Sequence, residues 1–192
     1  MTVRVLIVCT ANICRSPASA VLLDSGTGPG VEVVSAGTRA RSGDRACPVA
    51  TDWAGEFVPS SGSTDVREVL TRHRSRPLSA ELVAAADLVL TMSRRHRSAV
   101  VALVPQAQRR TFPIRYVERL APSLILAPDR PADQEGRGLW LASELHVRRA
   151  ESGFVEDPDD TVPDPHRTGD HPPALSMLGS AVRSVLGILT GP

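Results

Sequence analysis

The order of elements at the start of the chain constrains the fold most. Residues 3–8 form a near-continuous apolar, β-branched run, which predicts a strand buried on both faces. A polar loop over residues 9–15 follows. Residues 16–23 then predict a helix, with Ser as its N-cap and Pro at its first position. Residues 31–35 predict a second strand, so the chain opens with a βαβ unit and belongs to the α/β class.

The rest of the chain repeats this alternation. Residues 87–92 and 110–114 predict two further strands, while Pro-rich residues 122–138 predict a surface loop and residues 156–173 predict no regular element. We therefore expect an α/β domain spanning residues 1–192, with a longer insertion around 121–156. Its architecture would be a three-layer α/β/α sandwich around a central, mostly parallel four-stranded sheet. Further helices are expected at residues 48–57, 78–86, 93–104, 138–152 and 174–189.

Composition excludes several function classes. The 22 basic residues nearly balance the 21 acidic ones, so no global charge points to nucleic acid as a partner. The sequence contains no Lys, which excludes Schiff-base lysine chemistry and a Walker-type phosphate lysine. Three Cys cannot form a fully paired disulfide framework, and we see no signal peptide or membrane-spanning run. We therefore expect a cytoplasmic protein that has no membrane partner and binds anions through Arg or backbone N–H groups.

The loop after the first strand carries the candidate chemistry. Cys9 ends the strand and Arg15 opens the helix, at the edge of an α/β sheet where ligands bind. Backbone N–H groups of the intervening residues converge on one anion, and the positive helix terminus favours the thiolate of Cys9. A phosphate monoester placed there would meet a nucleophile and a bidentate guanidinium. These intervening residues are Thr10, Ala11, Asn12, Ile13 and Cys14.

Residues 8–17 read V-C-T-A-N-I-C-R-S-P, which resembles the phosphate loop of the low-molecular-weight protein tyrosine phosphatases. That fold is shared with a class of thioredoxin-coupled arsenate reductases. Residues 35–38, 73–78 and 86–92 are similar to further family patterns. The resemblance implies a hydrogen bond between Ser35 and Asn12 that braces the loop. It also implies that Ser16 donates to the Cys9 sulfur.

The family uses a general acid from an Asp-Pro pair on a distant loop. Two such pairs exist, at Asp157 and Asp164, and the second is favoured because it directly precedes the last helix. The implied mechanism is attack by Cys9 on phosphorus, with Asp164 protonating the leaving oxygen. Asp164 then acts as base when water hydrolyses the phosphocysteine. No cofactor is expected, and the five His are scattered, so we predict no metal-ligand cluster.

The walls of the substrate slot depart from the family pattern. An aromatic residue normally follows the Asp-Pro pair, where this chain has His166 and Arg167. The opposite wall falls at Arg39, Ala40 or Arg41, of which Arg41 is taken as the wall residue. These polar walls suit a phosphorylated aromatic ring through cation–π contact, or a small phosphorylated metabolite. The predicted substrate is therefore a phosphotyrosine protein, with a small phosphomonoester as the alternative.

The other two Cys have less defined roles. Cys14 is either a small buried filler or the partner of Cys9 in a reversible, protective disulfide. Cys47 is expected to serve packing alone. Arsenate reduction is a further alternative, but the reductases carry two more Cys after the strand at 87–92, and this chain has none there. A catalytically silent anion-binding module is the last alternative, and a retained Cys9, Arg15 and Asp164 argue against it.

Overall fold

A central parallel sheet organises the protein. A computed structural model describes residues 2–57, 65–151 and 160–191. Its strands are β1 Val3–Cys9, β2 Val31–Gly37, β3 Leu88–Thr91 and β4 Thr111–Pro113. They pair in the order β2-β1-β3-β4, and all three pairings are parallel. The predicted four-stranded sheet is confirmed.

Helices cover both faces of this sheet. Within the described part of the chain they are α1 Arg15–Gly26, α2 Pro48–Phe57, α3 Val66–Arg72, α4 Ala80–Ala85, α5 Arg94–Leu103, α6 Ile114–Ile125, α7 Gln134–Glu151, α8 Pro165–Thr168 and α9 His171–Thr190. A 3-10 helix, Pro105–Arg110, precedes β4.

The central strand shows how the layers form. Val5 and Ile7 of β1 point to one face and pack with residues of α1, α6 and α9. Leu6 and Val8 point to the other face, against residues of α4, α5 and the 3-10 helix. All four side chains are fully buried, and each such burial contributes roughly 1.5–3 kcal/mol. The predicted three-layer α/β/α arrangement is therefore confirmed.

Three details of the expected elements are wrong. Residues 165–168 form α8 and α9 already begins at His171, inside the stretch 156–173 that was predicted to hold no regular element. Ser16 does not cap α1, because the helix begins at Arg15 with Cys14 at its N-cap and no side-chain capping bond. Residues 122–138 are not one surface loop, since α6 continues through Pro122 and α7 already begins at Gln134. Burial against the core explains the longer helices, because Leu124 of α6 is fully buried despite the proline two residues before it.

The last helix is long and apolar. By length and composition α9 could cross a membrane, with a mean hydropathy of 1.3, yet half of that apolar window is buried inside the protein. Leu178, Val182 and Val185 are fully buried in the main core. Core helices of soluble proteins are often as long and as apolar as this, so packing against α1 and α6 explains the apolarity of α9.

Candidate active site

The candidate nucleophile lies where the strand order reverses. Cys9 is the last residue of β1, and the chain turns from there to β2 on one side and later to β3 on the other. Ligands of open α/β sheets bind in the crevice at such a switch point. The Cys9 side chain is almost fully buried, and its Sγ lies 2.9 Å from Ser16 Oγ. The backbone N–H of Asn12 also donates to this sulfur, at 3.3 Å. Two hydrogen-bond partners therefore face the thiol from within its own loop.

Asn12 holds the loop in shape. It has φ +55°, the one non-glycine residue in the left-handed region among those that the structure describes. Its buried amide Nδ2 donates to Ser35 Oγ at 2.9 Å and to Ser16 Oγ at 3.0 Å. The hydrogen bond expected between Asn12 and Ser35 is thus present. The short polar side chain tolerates this backbone conformation and anchors the loop to β2.

A segment between α3 and α4 donates two further hydrogen bonds to Asn12. His73 Nε2 donates to the Asn12 carbonyl at 2.8 Å, and the backbone N–H of Arg76 donates to Asn12 Oδ1 at 2.9 Å. Burial lowers the pKa of His73, which favours the neutral ring. Gly37 permits the close approach of β2, since a Cβ there would lie 2.6 Å from the Thr10 carbonyl oxygen. The loop is therefore braced by two separate stretches of chain.

Arg15 brings a buried positive charge to the loop. Its side chain is 4% exposed, and Nη1 donates to the Val162 carbonyl at 3.1 Å. Nη2 donates to Thr10 Oγ1 at 3.2 Å and lies 2.6 Å from Asp164 Oδ2. A buried guanidinium held by three partners is pre-oriented for an anion in the loop.

Asp164 is carried to the loop by a segment that lies beside β3. The backbone N–H of Val162 donates to the Met92 carbonyl at 2.9 Å, directly after β3, and the Val162 side chain is fully buried. Asp164 then caps α8, accepting from the backbone N–H of His166 at 3.2 Å. The competing pair at Asp157 lies outside the described residues.

A chain of hydrogen bonds leads to Asp164 from the opposite face of the sheet. The Thr10 hydroxyl donates to Asp164 Oδ2 at 3.2 Å and lies 3.0 Å from His96 Nε2. His96 Nδ1 lies 2.9 Å from Ser93 Oγ, which also accepts from the backbone N–H of His96 as the N-cap of α5. Burial, followed by the charge of Arg15, lowers the pKa of His96 to about 4.

These partners define one consistent orientation. A neutral His96 donates through Nε2 to Thr10 and accepts from Ser93 at Nδ1. The sequence analysis missed His96 altogether. The sequence nevertheless indicated this residue by its position. His96 lies in the first turn of a helix that follows a parallel strand, and that turn is at the edge of the sheet where ligands bind.

Four side chains meet behind the phosphate loop. The ligand-type atoms of Cys14, Cys47, His166 and His171 all lie within 4.8 Å of one another. The expectation that the His residues form no ligand cluster is therefore wrong for His166 and His171. The reason is the left-handed Gly169, φ +76°, which ends α8 and lets the chain return as α9.

The two thiols of this cluster are coupled. All three Cys of the chain are free. A hydrogen bond from Cys14 lowers the pKa of Cys47, and the same bond together with burial raises the pKa of Cys14. The Cys47 sulfur also lies 3.5 Å from His171 Nε2. Cys47 was expected to serve packing alone, and that expectation did not include its contacts with Cys14 and His171.

The residues predicted as walls of the substrate slot are exposed side chains. Arg41 and Arg167 are exposed, and the Arg41 backbone carbonyl accepts from Ser75 Oγ. His166 is exposed too, and its ring packs edge-on against His171 at 5.1 Å between centroids. Ala11 and Ile13 are half-buried at the loop itself. Their roles toward substrate remain predictions.

Comparison with known proteins places the chain in a family. The family described as low molecular weight phosphotyrosine protein phosphatase matches residues 4–123, which include Cys9 and Arg15 but end before Asp164. The chain is 36% identical over 115 residues to a protein-arginine-phosphatase of Geobacillus stearothermophilus, covering 60% of this chain and 71% of that protein. It is 35% identical over 119 residues to EpsP of Ralstonia solanacearum, a probable low molecular weight protein-tyrosine-phosphatase, covering 62% and 75%.

A solved structure shows the same likeness. The YwlE arginine phosphatase of Geobacillus stearothermophilus has a TM-score of 0.51 and 31% identity, over 78% of this chain and 92% of that chain.

Proposed function

Because the chain belongs to the low molecular weight phosphotyrosine protein phosphatase family, we propose that it hydrolyses phosphotyrosine on proteins through a phosphocysteine on Cys9. One observation carries the proposal. The Cys9 thiol and the Arg15 guanidinium stand at the two ends of one loop, and the Asp164 carboxylate reaches that loop from a distant part of the chain. Such a site supplies the nucleophile, the anion clamp and the acid that ester cleavage requires.

The first step forms a bond between Cys9 Sγ and phosphorus and breaks the bond from phosphorus to the ester oxygen. The leaving oxygen takes a proton from Asp164. Ser16 Oγ, 2.9 Å from the sulfur, donates to the thiolate before attack. Arg15 and the loop N–H groups hold the three other phosphoryl oxygens, so that the breaking bond lies in line with the Cys9 sulfur.

The second step returns the enzyme to its starting form. Water attacks the phosphocysteine, Asp164 accepts its proton, and the Cys9 thiolate leaves as inorganic phosphate forms. The Thr10 hydroxyl holds the Asp164 carboxylate throughout, and His96 in turn orients Thr10. Asp164 therefore acts as acid and base from one fixed position.

Two other substrates are testable alternatives. A phosphoguanidinium on protein arginine is suggested by the protein-arginine-phosphatase relative, and in that case Asp164 would protonate a leaving nitrogen. A small phosphorylated metabolite is suggested by the polar residues His166, Arg167 and Arg41 at the predicted walls, which offer ion pairs and hydrogen bonds to a charged ester.

A substrate panel tests the proposal directly. The wild type would be assayed on phosphotyrosine peptides, phosphoarginine peptides and phosphorylated sugars, with EDTA present. We expect the highest kcat/KM on phosphotyrosine peptides and no activity in Cys9→Ser. Full activity in Cys9→Ser would overturn the mechanism. A preference for either of the other substrates would overturn the phosphotyrosine assignment and leave the mechanism standing. Asp164→Ala should retain binding of the true substrate and serve as a trap.

A further inference from the structure

The four side chains that meet behind the phosphate loop carry a second inference, independent of the phosphatase reaction. We propose that Cys14, Cys47, His166 and His171 form a zinc site. Two thiols and two imidazoles are the donor set of many structural zinc sites. Cys2His2 also favours zinc over hard cations such as Mg²⁺, which prefer oxygen ligands.

The distances are close to those that a zinc ion needs. All four ligand atoms lie within 4.8 Å of one another. Tetrahedral zinc with ordinary bond lengths places ligand atoms about 3.3–3.8 Å apart. The pair Cys47 Sγ and His171 Nε2, at 3.5 Å, already has that separation. A pair at the full 4.8 Å would have to close by roughly 1 Å, which small side-chain rotations supply.

The backbone fixes the two thiols in advance. The N–H of Cys47 donates to the Ile13 carbonyl at 2.6 Å, next to Cys14 in the phosphate loop. The Cys47 carbonyl then accepts from the N–H and hydroxyl of Thr51, at the start of α2. Both thiols are buried. Two soft ligands are therefore held side by side, away from bulk water, and they need little rearrangement to bind a metal.

The two imidazoles come from residues that are close together in the sequence. His166 and His171 have four residues between them, within the three-to-five spacing of zinc-binding histidine pairs. The left-handed Gly169 turns the chain between α8 and α9, and it brings the rings to 5.1 Å between centroids. His166 is exposed and His171 half-buried. A cation can therefore enter from the side of the imidazoles and meet the buried thiols.

The site would tie the candidate acid to the phosphate loop. Cys14 directly precedes Arg15, while His166 stands two residues after Asp164 in α8. Zinc would thus join the loop, the start of α2 and the segment from α8 to α9. Binding converts each remaining Cys–SH to thiolate and releases its proton, while the imidazoles bind in the neutral form.

Metal analysis of the purified full chain, without a histidine tag, tests the site. The protein would be stripped with EDTA, incubated with Zn²⁺, desalted and analysed for bound metal. We expect one zinc per chain, and a higher unfolding temperature than in the stripped protein. Co²⁺ in place of Zn²⁺ should show thiolate-to-cobalt charge transfer and the ligand-field bands of a tetrahedral ion. Stripped protein that takes up no stoichiometric zinc, or whose Cys14 and Cys47 are joined as a disulfide, would overturn the proposal.

Variants separate this cluster from other thiols and imidazoles. Cys47→Ser and His171→Asn should lose stoichiometric zinc and the cobalt spectrum. His166→Asn changes an exposed side chain, so it keeps the test decisive if Cys47→Ser fails to fold. His146→Asn in α7 and Cys9→Ser are matched controls that should keep one zinc. Loss of zinc from Cys9→Ser, or its retention in both His166→Asn and His171→Asn, would overturn the assignment.

Discussion

The Asp164 carboxylate lies 2.6 Å from Arg15 Nη2, so in this structure the candidate acid occupies part of the candidate anion clamp. Arg15 is 4% exposed and Asp164 24% exposed, and the pair is therefore shielded from water on the side of Arg15. A bound phosphoryl group would share the same guanidinium.

This pair predicts opposite effects of one substitution on binding and on turnover. In Asp164→Asn the neutral amide no longer competes for Arg15, so we expect inorganic phosphate to bind on the order of tenfold more tightly. The same change removes the proton donor, and kcat on phosphotyrosine peptides should fall roughly 10²- to 10⁴-fold. Calorimetric titration with phosphate and steady-state assays measure the two effects.

The control for that prediction is Asp170→Asn. Asp170 is exposed and stands at the N-cap of α9 without a side-chain capping bond. Phosphate affinity and kcat should both stay near wild type. Equal phosphate affinity in Asp164→Asn and the wild type would show that the ion pair does not compete with the anion.

Replacing Arg15 by Lys tests whether the clamp needs a guanidinium. The ammonium keeps the charge but cannot donate in the fork geometry that reaches Val162, Thr10 and Asp164. We expect kcat/KM to fall roughly 10²- to 10³-fold. Arg109→Lys, at an exposed position in the 3-10 helix, should change kcat/KM little. Near-normal activity in Arg15→Lys would show that positive charge alone suffices.

Substitution of Asn12 should separate backbone strain from hydrogen bonding. Asn12→Gly keeps the left-handed backbone but removes the side-chain bonds to Ser16, Ser35 and the Arg76 N–H. We expect the free energy of unfolding to fall by about 3 kcal/mol, because buried polar groups lose their partners. Asn12→Ala adds the cost of φ +55° for a residue with a Cβ, about 1 kcal/mol more.

Urea denaturation of the two Asn12 variants beside the wild type measures the cost of the lost hydrogen bonds and the cost of the left-handed backbone. Equal losses in Asn12→Gly and Asn12→Ala would show that the left-handed backbone costs nothing extra. A loss well below 1 kcal/mol in both variants would contradict the role of Asn12 as the brace of the loop.

Local sequence patterns predicted the parts of the fold and site that are set by local chemistry. The strand β1 and the loop after it were predictable because a buried apolar run followed by Cys9 and Arg15 leaves few other structures. The bond from Asn12 to Ser35 followed from a family pattern and is present in the structure. The start of α7 was missed because Pro131 and the charged residues beside it outweigh the helix pattern there when the buried Leu141 is unknown.

Long-range contacts were beyond the reach of local patterns. Cys14 and Cys47 meet where the Cys47 N–H donates to the Ile13 carbonyl, a bond that no spacing rule indicates. His96 reaches the site because β3 lies beside β1 in the sheet. Both features depend on the order of the strands and the packing of the loops, which become known only once the whole chain is folded.

Acid should destabilise the protein through His96. Its pKa is about 4 in the folded protein against an ordinary value near 6.5, chiefly because the ring is buried. Between those two values the unfolded chain binds a proton that the folded chain does not, so stability falls as the pH drops from about 6.5 to 4. This one group accounts for up to about 3 kcal/mol of the loss. In His96→Gln we expect the free energy of unfolding to fall less steeply as the pH drops, whatever the stability of the variant at pH 7. Urea unfolding with EDTA at several pH values in this window, beside the control His146→Gln, measures the slope. Identical slopes for His96→Gln and the wild type would contradict the assignment of a neutral, buried ring.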